Sequence, residues 1–241
     1  MEPLIKVRDL HFRYEDGTLA LDGVNFELSA GETVALFGPN GSGKTTFVLH
    51  LNGLLLGQGE VTVGGLRVEK NNLGLVRRKV GLVFQDADEQ LFMPTVFEDV
   101  CFGPLNLGLS PPEAAAVARH ALEQVGMGHA LERAPYHLSA GEKRRVALAG
   151  VLAMQPEILV LDEPTTFLDP PGRRALLEVL RGLPQAKLIV THDVWFARAL
   201  ARRAVFFERG RIVRDGPVDE LLARFHWNLS ESLDVVAPPG A

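Results

Sequence analysis

Cysteine is all but missing from this chain: Cys101 stands alone among 241 residues. One thiol excludes an internal disulfide and a multi-cysteine metal site, and it fits a reducing compartment. An excess of positive charge is missing as well. The 25 basic and 30 acidic residues are intermixed and leave a net charge of −5, so no basic field invites nucleic acid as a partner. No window approaches the ~18 uninterrupted apolar residues of a membrane-spanning helix, so any membrane role needs another chain. Met1 to Val7 lacks the charged-then-apolar pattern of a targeting segment and runs directly into strand alternation, so export is not expected. Histidines and cysteines do not cluster in the way that would bind a transition metal here. What remains is a globular chain, 46% hydrophobic, with ample material for a core.

One segment stands out from this background. Gly38-Pro39-Asn40-Gly41-Ser42-Gly43-Lys44-Thr45 fits the phosphate-cradling pattern G-x-x-x-x-G-K-[ST]. Thr33 to Phe37 before it reads as a buried parallel strand, and Thr46 to Asn52 after it reads as a helix, which is the context the motif requires. The glycines let backbone N–H groups turn inward around phosphate oxygens. Lys44 can reach the outer phosphates, and the Thr45 hydroxyl can hold Mg²⁺ at the helix start, with Thr46 following. The phosphates of a nucleotide and Mg²⁺ are therefore the expected ligands.

Short strand patterns at Ile5–Val7, Val24–Leu28, Val61–Val63 and Leu66–Val68 predict a small antiparallel sheet around the nucleotide strand. From about Asp86 to Gln155 the pattern turns helical, with Ala114, Val117, Ala118, Ala121, Leu122 and Val125 on one face. Ile158–Leu161 and Lys187–Val190 read as further parallel strands, separated by a helical stretch from Arg173 to Leu180. The strand at 158–161 runs into Asp162-Glu163, where Asp162 can serve Mg²⁺ and Glu163 can polarise an attacking water. Ser139-x-x-Glu142 forms a capping box for a helix running to Met154. The segment from Ser230 to Ala241, with Pro238-Pro239-Gly240, reads as a flexible tail after a domain spanning 1–229.

Leu138-Ser139-Ala140-Gly141-Glu142 resembles the signature of ABC-type ATPases, which usually reads Leu-Ser-Gly-Gly-Gln. The resemblance covers nearly the whole chain. It implies a RecA-like α/β core with an antiparallel β subdomain and an inserted helical subdomain at about 86–155. It implies that the nucleotide is ATP, and that Ser139 and Gly141 grip the terminal phosphate of the ATP bound by a second ATPase subunit, identical or not. The family pattern departs at Ala140 and at Glu142, whose acid is expected to place negative charge near a phosphate. In the family's order, Tyr14 matches the aromatic that stacks on adenine, Gln85 the glutamine that touches Mg²⁺ or the lytic water, and His192 the switch histidine. Asp169 matches the acid linking the two sites across the dimer, and Phe167 stands where small residues are common.

The segment from Phe84 to Leu109 resembles the energy-coupling-factor branch, particularly its cobalt and nickel importers, with vitamin importers such as those for biotin as the alternative. In that reading Leu91, Phe92 and Met93 help receive a transmembrane coupling protein, which works with a substrate-binding membrane protein. The ATPase then sits peripherally on the cytoplasmic face of the membrane. A soluble ABC protein of translation or DNA repair is disfavoured, because tandem cassettes or a long coiled coil do not fit between Thr45 and Ser139.

Overall fold

The computed structural model describes residues 2–225, so the expected tail at 230–241 lies outside the described residues. The chain runs β1 (Ile5–Arg13), β2 (Leu19–Leu28), β3 (Thr33–Phe37), α1 (Lys44–Leu51), β4 (Gln58–Val63), β5 (Leu66–Arg67), α2 (Leu73–Lys79) and β6 (Val80–Val83). A helical insertion follows, with α3 (Val96–Asn106), α4 (Pro111–Gln124) and α5 (Ala140–Leu152) and two short 3-10 turns at Ala87–Glu89 and Pro135–His137. The chain then returns through β7 (Ile158–Asp162), α6 (Pro170–Gly182), β8 (Ala186–Val190), α7 (Val194–Leu200), β9 (Arg203–Glu208), β10 (Arg211–Pro217) and α8 (Val218–Arg224).

Two sheets organise these elements. The smaller has the order β2-β1-β4-β5 and is antiparallel throughout, while the larger has the order β10-β9-β3-β8-β7-β6. In the larger sheet β3 pairs in parallel with both β8 and β9, β7 with β8, and β6 with β7. Every residue of β6, β7 and β8 is buried, as a parallel sheet covered on both faces demands. The arrangement is the one expected from the sequence: a RecA-like α/β core with an antiparallel β subdomain and an inserted helical subdomain.

Two large apolar cores divide the molecule along the same lines. One joins the helical insertion to the larger sheet through Val96, Val100, Leu122, Val146, Leu148 and Leu161. The other fills the space between the two sheets around Phe26, Phe47 and Phe207, with α1 lying between them. Helix ends follow their sequence signals: Thr95 with Glu98, Ser110 with Glu113, and Ser139 with Glu142 each form a reciprocal capping box. Strand β6 stops at Val83, because the backbone N–H of Phe84 turns to the Gln90 side chain at 3.3 Å instead of continuing the ladder.

Candidate active site

Strands β3, β8, β7 and β6 are parallel neighbours, so their C-terminal ends share one edge of the sheet, where open α/β sheets place their ligands. Each of these ends delivers part of the site. After β3 the chain turns through Gly38 to Gly43 and enters α1 at Lys44. Two glycines here are required by close approach. A Cβ on Gly38, at φ 145°, would lie 2.2 Å from the Phe207 carbonyl oxygen, and one on Gly43, at φ 105°, would lie 2.4 Å from that of Ala20. The loop is thus pressed between β9 and β2, which fixes where its N–H groups point.

The buried ammonium of Lys44 donates to the carbonyls of Gly38 at 2.7 Å and Pro39 at 2.9 Å. Burial lowers its pKa, opposed by the carboxylates of Glu163 and Asp162. Next to it the Thr45 hydroxyl donates to Oδ2 of Asp162 at 2.9 Å. The other carboxylate oxygen, Oδ1, is buried without a hydrogen-bond partner, and burial raises the pKa of this group. An orphaned carboxylate oxygen beside a hydroxyl is a donor set that fits a hard cation such as Mg²⁺. Among the described residues no group of three or more His, Cys, Asp or Glu is arranged to hold a metal ion by itself, so water and phosphate oxygens would complete the shell.

Glu163 follows immediately, in the left-handed region at φ 45°, where a non-glycine residue is strained. The turn is held by its N–H, which donates to the Val190 carbonyl at the end of β8. Oε2 accepts from the His192 N–H at 3.3 Å, and Oε1 lies 3.1 Å from His192 Nε2. Burial pushes the Glu163 carboxyl up to about 7, while burial and then the Lys44 charge lower the pKa of His192. Gln85 completes the ring from the end of β6. Its backbone is pinned by Arg144 of α5, whose buried guanidinium donates to the carbonyls of Phe84 and Gln85. Arg144 escapes sequence reasoning because an arginine in a basic run reads as solvated.

A cleft of about 600 Å³ opens over these groups. Its wall includes Tyr14, Asn40, Gly41, Gly43, Lys44, Thr45, Thr46, Gln85, Asp162, Glu163 and His192. Tyr14 stands at the rim, 40% exposed, with its hydroxyl 2.9 Å from Thr46 Oγ1 and Phe12 packed edge-on against its ring. Gly38, Pro39 and Ser42 are not among the residues that line the cleft: Pro39 is exposed, Gly38 is buried, and the buried Ser42 hydroxyl has no hydrogen-bond partner.

Ser139, Gly141 and Asp169 do not line this cleft. Ser139 caps α5 on an exposed surface, and Asp169 caps α6, accepting from the Gly172 N–H at 2.8 Å. A Cβ on Gly141 would meet only ordinary contacts at 3.8–4.0 Å, so nothing inside the chain demands glycine there. Phe167 is 80% exposed at φ 65°. The triplet Leu91, Phe92 and Met93 is divided: Leu91 packs against the helical core and Met93 is half-buried. Phe92 is 62% exposed and meets Phe102 edge-on with ring centroids 4.9 Å apart. Both backbone N–H groups of Phe92 and Met93 donate to Oδ1 of the buried Asp99 at 3.1 Å. The expected apolar surface therefore consists of Phe92 with Phe102 and Leu105, which are also exposed, and excludes most of Leu91.

Comparison with known proteins agrees with this geometry. Residues 21–166 match the family model described as ABC transporter. The chain is 55% identical over 226 residues to a protein of Gloeobacter violaceus provisionally named an ABC transporter ATP-binding protein, covering 92% of each chain. It is 46% identical over 245 residues to the energy-coupling factor transporter ATP-binding protein EcfA of Methanothermobacter thermautotrophicus, covering 97% of this chain and 79% of that one. Among solved structures it resembles cbiO1 of Clostridium perfringens, part of the ABC transporter complex cbiONQ. The TM-score is 0.84 at 33% identity, covering 98% of this chain and 96% of that one.

Proposed function

Because the chain belongs to the ABC transporter ATPase family, an ATP-binding and ATP-hydrolysing family, we propose that it powers an energy-coupling-factor importer through membrane partners. The observation that carries this reading is the convergence of Lys44, Thr45, Gln85, Asp162, Glu163 and His192 on one cleft while Ser139 stands apart from it. Half of an active site faces each way, so two chains facing head to tail complete two sites.

In this reading the N–H groups of the Gly38–Gly43 loop and the positive end of α1 cradle the phosphates of ATP, Lys44 leaves the Gly38 and Pro39 carbonyls for the outer phosphates, and Tyr14 stacks on the base. Thr45, Asp162 and Gln85 would hold Mg²⁺, which when bound neutralises charge developing on the phosphate oxygens. Glu163 orients and deprotonates the water that attacks the terminal phosphorus, the bond to ADP breaks, and His192 keeps the Glu163 carboxylate aimed. Ser139 and Gly141 of the facing chain grip the terminal phosphate. The glycine is required there by the approach of that partner rather than by anything within its own chain. Asp169 links the two sites, and closure and reopening of the pair pull on the membrane partner.

The resemblance of the segment from Phe84 to Leu109 to cobalt and nickel importers favours such an ion as cargo, with a vitamin such as biotin as the alternative. Among the described residues no helix is long and apolar enough to cross a membrane, which fits peripheral attachment at the cytoplasmic face through other proteins. Purification from native membranes should recover a transmembrane coupling protein and a small substrate-binding membrane protein. Recovery with ribosomes or DNA-repair proteins instead would reject the importer reading, and uptake of radiolabelled cobalt, nickel and biotin then identifies the cargo.

The exposed Phe92 and Phe102 pair supplies an apolar anchor for the coupling protein, held by Asp99 beneath it. Phe92→Ser should leave the melting temperature of the purified chain within about 2 °C of wild type, since so little of the ring is buried. Membrane association and uptake should fall at least several-fold. A fall of many degrees in the melting temperature would show that Phe92 is a packing residue instead.

A further inference from the structure

The acid at position 142 ought to harm a surface that grips phosphate, yet it is not a bare charge. Oε2 of Glu142 accepts from the Ser139 N–H at 2.8 Å and from the Ser139 hydroxyl at 2.8 Å. Its other oxygen, Oε1, accepts from Nη1 of Arg133 at 2.9 Å. The same guanidinium donates through Nη2 to the His137 carbonyl at 2.8 Å, so Arg133 spans the turn that leads into Ser139. The bonds from Ser139, with Arg133 beside them, hold the Glu142 carboxyl down at about 2, so it is charged at neutral pH. Arg133 is itself anchored, because its carbonyl accepts from the Val96 N–H at 2.9 Å at the start of α3.

We propose that Arg133 is a positioning residue for the signature: it supplies the counter-charge that lets Glu142 stand beside the phosphate-gripping Ser139, and it holds the carboxylate where it orients the Ser139 hydroxyl. The inference rests on the two-chain reading above. In this reading the negative charge that Glu142 brings near a phosphate is already met by Arg133. Partial exposure of both side chains makes the pair a minor contributor to stability. Its effect is electrostatic and local: removing the guanidinium leaves an unmatched negative charge at a surface built to meet phosphate, and like-charge juxtaposition across an interface suppresses association.

The test is a cycle of four full-length proteins: wild type, Arg133→Gln, Glu142→Gln and the double variant. Association driven by a non-hydrolysable ATP analogue is followed by light scattering, and exchange of the Ser139 amide proton is followed by NMR. Arg133→Gln should raise the nucleotide concentration needed for association about three- to thirtyfold, the range of one unscreened charge near an interface, with a smaller effect in high salt. Glu142→Gln alone should lie close to wild type, and in its background Arg133→Gln should have little further effect. The Ser139 amide should exchange several-fold faster in Arg133→Gln than in wild type.

An equal loss from Arg133→Gln in both backgrounds would overturn the proposal, leaving the arginine as a brace for the His137 carbonyl alone. No loss in either background would overturn it too. Should wild type bind the analogue yet never associate, the two-chain reading fails. The amide then decides the Arg133 arrangement by itself: unchanged exchange at Ser139 rejects it, and faster exchange confined to the Glu142 background sustains it.

Discussion

Glu163→Gln is expected to bind ATP as wild type does and to lose roughly 10²–10⁴ in turnover, the range for removal of a general base. The substitution keeps the shape of the side chain and its contacts with His192, both of which a shorter residue would abandon. It removes only the capacity to take a proton from water. Nucleotide binding depends on the Gly38–Gly43 loop and Lys44, which Glu163 does not touch through any hydrogen bond, so the protein should accumulate as an ATP-bound pair. Phosphate release measured on the purified variant provides the check, and near wild-type hydrolysis would reject Glu163 as the base.

Mixing two inactive proteins is expected to restore hydrolysis. Lys44→Ala removes the cation from the phosphate loop, and Ser139→Arg blocks the signature surface with a long charged side chain. In a mixed pair, one site takes its loop from the Ser139→Arg chain and its signature from the Lys44→Ala chain, and is intact. Random pairing of equal amounts yields half mixed pairs with one good site each, so about a quarter of wild-type activity is the ceiling if the sites act independently. A mixture that stays inactive while mixed pairs demonstrably form would remove the shared-site model or require that neither site works without the other.

Much of the fold was legible because its signals are local. Thr33–Phe37 forms β3 at the expected residues, and the Ser139-x-x-Glu142 capping box is present in full. The phosphate loop could be read because glycine at 38 and 43 answers to backbone sterics that few other residues satisfy. The last part of the larger sheet was less legible. β9 pairs with β3 and β10 with β9, and only the short apolar run Ala204–Phe207 before the Arg209-Gly210 turn marks them in the sequence, a length that fits a buried strand or a helix segment equally. Pairwise side-chain geometry was beyond sequence altogether: Arg144 against Gln85 and Arg133 against Glu142 are 59 and 9 residues apart, and nothing in the spacing announces either. The apolar triplet at 91–93 divides because Asp99 pulls its backbone inward, a tertiary contact that a hydrophobic run cannot reveal.

The pairing of β3 also governs when during synthesis the protein becomes competent. The antiparallel sheet is complete by Arg67, and its strands are near neighbours in the chain, so it can assemble early. The phosphate loop is also complete by Thr45, but both partners of β3 arrive late, β8 at Ala186–Val190 and β9 at Arg203–Glu208. The carbonyl against which Gly38 rests belongs to Phe207. A ribosome-bound chain that has not yet released β9 therefore carries an intact motif with no surface to shape it. Until Phe207 is released, the apolar strand β3 has at least one edge without a partner, the kind of exposed strand edge that makes an incompletely folded chain prone to aggregate.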